Sequence, residues 1–508
     1  MKKLFVLTLV VMLGLTGLVQ AANEATVEQV GDDNVATVTQ SADDNLGYIG
    51  QDGEDNFADI LQSGPGNTAT LEQEGDANFA VTGQSGTDSV ALGTQTGDSN
   101  TMSVSQSGDG TTAAVDQAGD WNAAAVDQSG EGDTADIDQE GDDNAAFVDQ
   151  RGEDALASIT QLGDANFADV DQSGAGGTAT ILQDGDDNEA SVTQSTFGLL
   201  TGPHSANISQ IGSGNYAEII QRTLGLLAGL NSADVSQAGD DHWAEVTQEG
   251  FGLGEGANSA DVSQTGVGHT TYVTQSGAFN SAEVIQDSAL RRHIAEIIQT
   301  GTLNSATITQ MHGATSSAEG DATIYQDGEA NGADVVQGDH NYASRALFAD
   351  ISQSGMLNYT SVVQNRGPSS AWVTQSGLAN QAYVTQDKSK TGHSNEATIE
   401  QSGTANYAEQ TQMAREGFKA YIYQTGNFNE AVQTQAHSAP YPGGTWNVAT
   451  TTQTGNLNVG SIVQTGNVAT ATLTQTGTGN DGYIIQAGLS SVGSLTQLGN
   501  GNIGGINQ

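Results

Sequence analysis

The sequence has no cysteine, five prolines and only 12 lysines and arginines among its 508 residues. Without cysteine, the chain has neither disulfides nor thiolate metal sites. Its 61 aspartates and glutamates give a formal net charge of −49, which repels phosphate backbones and anionic lipids. Nucleic acids and membrane surfaces are therefore excluded as expected partners. Acidic chains with few aromatic residues are often disordered, but the apolar residues here recur regularly, which favours a folded chain.

Long apolar runs are also scarce, and the one that stands out lies at the N-terminus. The stretch "MKKLFVLTLVVMLGLTGLVQAAN" has a basic start, an apolar run from Leu4 to Val19 and then small residues. This pattern is typical of a secretory signal peptide cleaved after Ala21 or Ala22, and the run is shorter than the ~20 residues of a membrane span. We therefore predict a signal peptide over residues 1–21 and an exported chain that does not insert into a membrane after cleavage.

Glutamine, in contrast, is abundant and evenly spaced. From Gln29 to Gln194 a glutamine recurs in 15 consecutive steps of 11 residues, and the series continues to Gln508. In total, 41 glutamines are separated by 40 steps, of which 31 are 11 residues long and nine are longer. A short period over the whole mature chain indicates stacked supersecondary units. We therefore predict a structural protein that is not an enzyme and has no cofactor.

Each 11-residue unit combines a strand with a bend. In "NVATVTQ", from Asn34 to Gln40, alternate residues fall on opposite sides, and a period of two is strand geometry. The bend reads Q-x-G-x-x-N, and both glycine and asparagine tolerate the left-handed conformations of sharp turns. One unit is therefore predicted to form a strand of about seven residues followed by a tight bend.

Two units make one rung, because only every second bend keeps its asparagine. The strict bends carry Asn34, Asn56, Asn78, Asn100, Asn122, Asn144, Asn166 and Asn188, whereas the bends between them vary. No two of the nine longer steps are neighbours, so insertions leave from one edge at a time. The strict bends change edges between Gln264 and Gln286, which we interpret as an extra half-rung.

The predicted fold is all-β: a two-sided β-solenoid of 11-residue strand–bend units with 22 residues per rung and roughly 20 rungs. We divide it into an acidic N-terminal repeat module, 22–264, and a C-terminal repeat module, 265–508, forming one continuous solenoid. Buried amides in such a stack can hydrogen-bond to identical amides on the rungs above and below. A buried glutamine without that partner would cost ~1–3 kcal/mol, which explains why the residue recurs.

The pattern Q-x-G-x-x-N-x-A-x-V-x-Q, repeated over residues 29 to 508, resembles the curlin repeat of curli fibre subunits. The resemblance implies a secreted amyloid-forming subunit of bacterial surface fibres that serves in cell adhesion and biofilm matrix. It also implies self-assembly, and it implies a nucleator and an outer-membrane secretion channel as partners. Whether the chain is a major subunit or a nucleator stays open, as do the export route and the adhesive ligand.

In the curlin family, internal glutamines and asparagines of the terminal repeats promote assembly. The resemblance carries this role to one end at Gln29, Asn34 and Gln40, and to the other at Gln486, Gln497, Asn502 and Gln508. Gln51 and Asn56 belong to the same predicted ladder. A monomeric or surface-tethered solenoid adhesin is the alternative function, and an ice-binding solenoid is less favoured because the outward positions are uneven.

The fourth place of the first eight strict bends is always acidic. These residues are Asp32, Glu54, Asp76, Asp98, Asp120, Asp142, Asp164 and Asp186. They are weak candidates for a calcium ladder, since Ca²⁺ takes carboxylate oxygens, but the nonapeptide calcium signature is missing. The alternative is a charged edge that keeps the rod soluble. We expect no other metal site, and we expect the eight histidines, including His242 and His269 in the asparagine place, to be exposed.

Overall fold

The computed structural model describes most of the chain after the predicted signal peptide, residues 1–21, which lies outside the described residues. The described residues are 22–197, 202–225, 230–252, 256–289, 291–312, 319–339, 346–365, 368–388, 394–414, 417–436, 447–466 and 468–508. Every regular element among them is a β-strand, and none of them belongs to a helix long and apolar enough to cross a membrane.

The first twenty strands are mostly short, and the first sixteen begin at regular steps of 11 residues. They are β1 (Glu24–Val30), β2 (Val35–Gln40), β3 (Leu46–Asp52), β4 (Phe57–Gln62), β5 (Thr68–Glu74), β6 (Phe79–Gln84), β7 (Val90–Thr96), β8 (Thr101–Gln106), β9 (Thr112–Ala118), β10 (Ala123–Gln128), β11 (Thr134–Glu140), β12 (Ala145–Gln150), β13 (Leu156–Leu162), β14 (Phe167–Ser173), β15 (Thr178–Asp184), β16 (Glu189–Phe197), β17 (Ser205–Ile211), β18 (Tyr216–Gly225), β19 (Ser232–Asp240) and β20 (Trp243–Gly252).

The remaining strands are mostly longer, because many continue into the bend. They are β21 (Ser259–Val267), β22 (Thr270–Ala278), β23 (Ser281–Ser288), β24 (His293–Thr302), β25 (Ser305–His312), β26 (Gly320–Glu329), β27 (Gly332–Asp339), β28 (Leu347–Met356), β29 (Tyr359–Asn365), β30 (Ser369–Leu378), β31 (Gln381–Lys388), β32 (Asn395–Thr404), β33 (Tyr407–Ala414), β34 (Phe418–Asn427), β35 (Glu430–Ala436), β36 (Asn447–Asn456), β37 (Val459–Gln464), β38 (Thr470–Thr478), β39 (Asp481–Gln486), β40 (Val492–Leu498) and β41 (Ile503–Asn507).

These strands fall into two compact units. Unit 1 contains the described residues as far as Asp241 together with Val246–Ala257, and unit 2 contains His242–Glu245 and Asn258–Gln508. The division of the chain into modules at residue 264 stays a prediction.

In each unit the odd-numbered strands form one parallel sheet and the even-numbered strands form the other. Strands on successive rungs pair in register, so that Gln29 lies opposite Gln51 in the pair of β1 and β3. Where an insertion intervenes, the register is kept and the separation grows, as between Gln183 and Gln210. The chain is thus an all-β, two-sheet parallel solenoid of about 19 turns, which confirms the predicted fold class.

The core lies between the two sheets and consists of small apolar residues. In β5, Ala69, Leu71 and Gln73 are buried, whereas Thr68, Thr70 and Glu72 face outward. This alternation repeats in nearly every strand, usually as alanine, then valine or isoleucine, then glutamine. Because these apolar side chains are small, the polar members of each rung must also be satisfied if the rung is to be stable.

The strict bends adopt left-handed conformations at two places. The third-place glycine has a positive φ, such as +115° at Gly75, and the fifth-place residue has φ near 60°, such as 59° at Ala77. In unit 2, two successive tight bends, at 266–269 and 277–280, join β21, β22 and β23. The strict bends change edges there, where the sequence predicts the extra half-rung.

Candidate functional site

A column of glutamines follows each sheet through the interior. Gln51 donates its Nε2 to Oε1 of Gln73 over 2.8 Å, and Gln73 donates to Gln95 over 2.8 Å. The same Nε2 of Gln51 also donates to the backbone carbonyl of Val35, at 3.1 Å, on a strand of the opposite sheet. Each amide therefore links two rungs and both sheets. All 41 repeat glutamines except Gln29, Gln40 and Gln508 are buried.

The strict-bend asparagines form a second column, which fixes the bends to one another. Oδ1 of Asn56 accepts the backbone N–H of Asn78 at 2.9 Å, and Nδ2 of Asn78 donates to the carbonyl of Gly97 at 2.7 Å. Asparagine fits this place because it offers one acceptor and one donor on a short side chain. Unit 2 has an equivalent asparagine column at the bends that follow its even-numbered strands. There Oδ1 of Asn304 accepts the backbone N–H of Asn331, and Oδ1 of Asn331 accepts that of Asn358.

The acidic fourth-place residues also make hydrogen bonds between rungs. Oδ1 of Asp76 accepts the backbone N–H of Glu54 at 2.8 Å, and the pattern continues from Asp98 to Asp186. In unit 2 the neutral Asn427 accepts the N–H of Thr404 in the same way, at 3.0 Å. The carboxylates therefore satisfy turn N–H groups. No set of three or more metal-ligating side chains converges within the described ranges, so the calcium ladder stays a prediction.

In the part of the chain that the structure describes, the first and last strands of each sheet have one unpaired edge. Among the described strands, β1 and β2 each pair on one side only, with β3 and β4, and β40 and β41 pair only with β38 and β39. Gln29 and Gln40 donate to the next rung, and no described rung precedes them. At the other end, Gln508 donates to the carbonyl of Val492 at 3.0 Å.

The C-terminal end is apolar and almost uncharged. Ile503, Val492 and Leu498 are 83%, 70% and 70% exposed, because they face outward from β40 and β41, which pair on one side only among the described strands. Between residues 436 and 508 only Asp481 carries a formal charge, whereas β1 alone contains Glu24 and Glu28. The two ends therefore differ in charge, although both offer open strand edges.

The repeat that builds these columns matches one known family model. The curlin-associated repeat matches residues 21–53, 42–75, 53–86, 64–108, 130–163, 163–195, 257–287, 369–403 and 444–477, which together make up half of the chain. The chain belongs to the curlin-associated repeat family. Among curated proteins, none matches the chain closely enough to count as a relative.

Five histidines depart from the curlin pattern and are buried, so the expectation of exposed histidines is wrong for them. They are His204, His242, His269, His293 and His312. The other three, His340, His393 and His437, lie outside the described residues. His242, His269 and His293 are buried because they occupy the place of the strict-bend asparagines, whose side chains are themselves buried.

The histidine column, defined as His242, His269 and His293 in unit 2, takes over the acceptor role of asparagine. The backbone N–H of His269 donates to Nδ1 of His242 at 3.2 Å, and that of His293 donates to Nδ1 of His269 at 3.2 Å. The N–H of Gly320 donates to Nδ1 of His293 at 2.9 Å. Successive rings stack with centroids 5.1 Å and 5.0 Å apart. Each Nδ1 must therefore be unprotonated.

The burial of these rings disfavours their charged form. Desolvation first, and the neighbouring His242 second, lower the pKa of His269 from 6.5 to about 4. The pKa of His293 falls to about 2, through desolvation and then through His312, whose Nδ1 lies 3.0 Å from Nε2 of His293. In unit 1, desolvation lowers the pKa of His204 to about 4. These histidines are neutral in the folded chain near pH 7.

The structure places the sequence-predicted residues in two groups. Gln29, Gln40 and Asn34 lie at the N-terminal end, and Gln486, Gln497, Asn502 and Gln508 lie at the C-terminal end, all within the ladders. Gln51 and Asn56 lie one rung further in. The histidine column and the bonds of the fourth-place carboxylates were not predicted. The only sequence signal for the former was histidine in the asparagine place at 242 and 269.

Proposed function

We propose that this curlin-repeat chain is a secreted structural subunit of extracellular curli-type amyloid fibres that serve cell adhesion and biofilm matrix. The observation that carries this proposal is the in-register stack of strands with its glutamine column, whose outermost described strands, β1 and β41, each pair on one side only among the described strands. Unpaired edges are templates for pairing with another chain, and repeated amides are satisfied by identical neighbours.

The polarity of the ladders supports head-to-tail growth. In each glutamine column the amide donates toward the higher-numbered rung, as Gln486 does to Gln508 over 3.0 Å. A second copy that places Gln29 beyond Gln508 would continue the donor–acceptor order of that column. The almost neutral C-terminal end is the favoured nucleating end, because charges oppose cross-β stacking. A nucleator and an outer-membrane secretion channel are proposed as further partners.

Electron microscopy and thioflavin fluorescence of the secreted chain test this proposal. Growth of unbranched, thioflavin-positive fibres is expected, whereas a stable monomer in gel filtration would favour the surface-tethered adhesin. Ile503→Lys adds a charge to the open end, and we expect it to lengthen the lag time several-fold, since edge lysines oppose strand pairing. Leu92→Lys is the matched control, because Leu92 faces outward in β7, between two paired strands. Equal lag times would contradict growth through the C-terminal end.

A further inference from the structure

One edge of unit 2 carries a row of apolar side chains, and its large members are exposed. The row consists of the fifth-place residues of eight tight bends: Phe279, Leu303, Ala330, Leu357, Ala379, Ala405, Phe428 and Leu457. We call it the apolar turn row. Its five large members, Phe279, Leu303, Leu357, Phe428 and Leu457, are each 53–58% exposed. Five large apolar side chains exposed along one edge are uncommon on a protein surface.

The members of this row are direct neighbours in the stack. The backbone N–H of Leu303 donates to the carbonyl of Ala278, in the bend of the previous rung, at 3.0 Å. The same bond joins Leu357 to Glu329 at 2.9 Å and Phe428 to Thr404 at 2.8 Å. The row therefore advances by one rung per residue. At ~4.8 Å per rung, eight bends extend over about 35 Å.

The backbone conformation at these fifth places does not favour large apolar residues, so the requirements of folding do not explain why they occur there. Phe279, Leu357 and Phe428 have φ of 56°, 57° and 55°, in the left-handed region. Glycine, asparagine and aspartate adopt this region far more readily than large apolar residues do. The corresponding place in unit 1 often holds aspartate, as at Asp33 and Asp55. The row thus combines an unfavourable backbone conformation with exposure to water, and such exceptions to local rules are expected at functional surfaces.

Charge distinguishes this edge from the strict bends of unit 1. In the first eight strict bends, twelve of the sixteen fourth- and fifth-place residues are acidic. In the eight bends of the apolar turn row, the same places hold a single acidic residue, Glu329. On a chain of formal net charge −49, the row is an edge that a second copy can approach without bringing two acidic ladders together.

We propose that the apolar turn row is a lateral docking surface for the same row of a second copy of this chain. A second copy fits because its row is neutral and has the same rung spacing, so that side chains can pack along the whole length. Two-fold pairing is the usual arrangement for identical surfaces. In that arrangement Phe279 lies near Leu457 of the other copy, Ala330 faces Ala405, and Leu357 faces Ala379 at the centre.

The size of the row indicates weak pairing between two single chains. A strip about 35 Å long and about 10 Å wide offers about 350 Å² per copy, below the about 800 Å² of a standard interface. If copies stack end to end as proposed above, the row repeats along the fibre, and many weak contacts act together. Lateral pairing itself does not depend on that growth, so it can be measured on the soluble chain.

Cross-linking tests the docking in a way that axial growth does not mimic. Ala379→Cys places the sole cysteine of the chain near the middle of the row, and Ala165→Cys places one at the same bend position in unit 1. With a short bismaleimide and soluble full-length chain, we expect dimers to form at least about tenfold faster for Ala379→Cys. Equal rates would overturn the proposal.

The second variant removes the apolar row while preserving the bend. Five substitutions, of Phe279, Leu303, Leu357, Phe428 and Leu457 to asparagine, suit the left-handed conformation and so do not threaten folding. Combined with Ala379→Cys, they should lower the cross-linking rate to that of Ala165→Cys. Trp121→Asn, at a fifth place in unit 1 with φ of 61°, is the control and should leave the rate unchanged. An undiminished rate in the five-residue variant would also overturn the proposal.

Discussion

The histidine column makes the stability of unit 2 depend on pH in a way that the asparagine column does not. His242, His269 and His293 each accept a backbone N–H on Nδ1. Protonation turns that nitrogen into a donor that faces another donor, and an unsatisfied donor is costly in a buried position. The perturbation that tests this is a mild fall in pH, from 7 to 5.

The sign and size of the effect follow from the lowered pKa values. A histidine whose pKa is lowered on folding favours the unfolded chain as the pH falls below the unfolded value of 6.5, because the unfolded chain binds the proton first. His269, with a pKa of about 4, and His293, with a pKa of about 2, stay neutral in the folded chain at pH 5. Each should then cost about 2 kcal/mol of unfolding free energy, or about 4 kcal/mol together.

Urea unfolding at pH 7 and pH 5 measures this cost when the wild type is compared with a variant that lacks the two imidazole rings. The variant is His269→Asn with His293→Asn, because asparagine is the residue that the repeat normally has at this place and supplies an acceptor there. Wild type should lose about 4 kcal/mol more than the variant between the two pH values. His204, His242, His312 and the carboxylates are present in both proteins. The difference between the two losses of unfolding free energy therefore reports on His269 and His293 and on their contacts with His242 and His312.

An equal loss in both proteins would refute the reasoning, since it would mean that neither imidazole resists protonation in the folded chain. Ring-proton NMR shifts give an independent reading. His269 and His293 should keep the shifts of neutral imidazole at pH 5, where an exposed histidine is almost fully protonated.

Three further predictions concern single rungs. Asp133 occupies the sixth place of its bend, where asparagine often stands; it is fully buried, its Oδ2 has no hydrogen-bond partner, and desolvation raises its pKa. We therefore expect Asp133→Asn to raise the free energy of unfolding in urea by about 1–3 kcal/mol at pH 7. The gain should become smaller as the pH falls, because Asp133 then becomes protonated in the wild type. Gly75→Ala should destabilise the chain by more than about 1 kcal/mol, because φ is +115° and a Cβ would meet the carbonyl of Gly97, whereas the open site at Gly83 should accept alanine. Asp76→Ala should cost about 1 kcal/mol in the same assay and Asp76→Asn almost nothing, because only the former loses the bond to the turn N–H.

The strand order and register could be predicted from the sequence because one residue encodes both. Glutamines that recur every 11 residues alternate between the two sheets, so partners in a sheet differ by 22 positions, as Gln51 and Gln73 do. The alternation of Ala69 and Leu71 with polar residues then fixes which face is inside. In such a stack the local sequence period also determines which distant strands pair, and the fold class could therefore be predicted from the sequence.

Roles that depend on an atom of another rung were harder to predict. The sequence shows that Asp76 is acidic, but not that its Oδ1 accepts the N–H of Glu54, 22 residues earlier. His293 follows an insertion in a 13-residue step, so its entry into the column of His269 is hidden by the irregular spacing. The exposure of Phe279 was equally inaccessible, because a large apolar residue at a bend is indistinguishable in sequence from a buried one.

The hydrogen bond at the fourth place of the bends makes the geometry of a bend independent of its charge. The turn N–H requires only an oxygen, which Asp98 supplies to Asp76 and Asn427 supplies to Thr404. Stacked carboxylates repel by about 0.8 kcal/mol per neighbouring pair even in water, and stacked amides do not. Exchanging the two residues therefore changes how strongly chains repel one another while each bend keeps its geometry. Along such an edge, solubility can evolve rung by rung without any rebuilding of the fold.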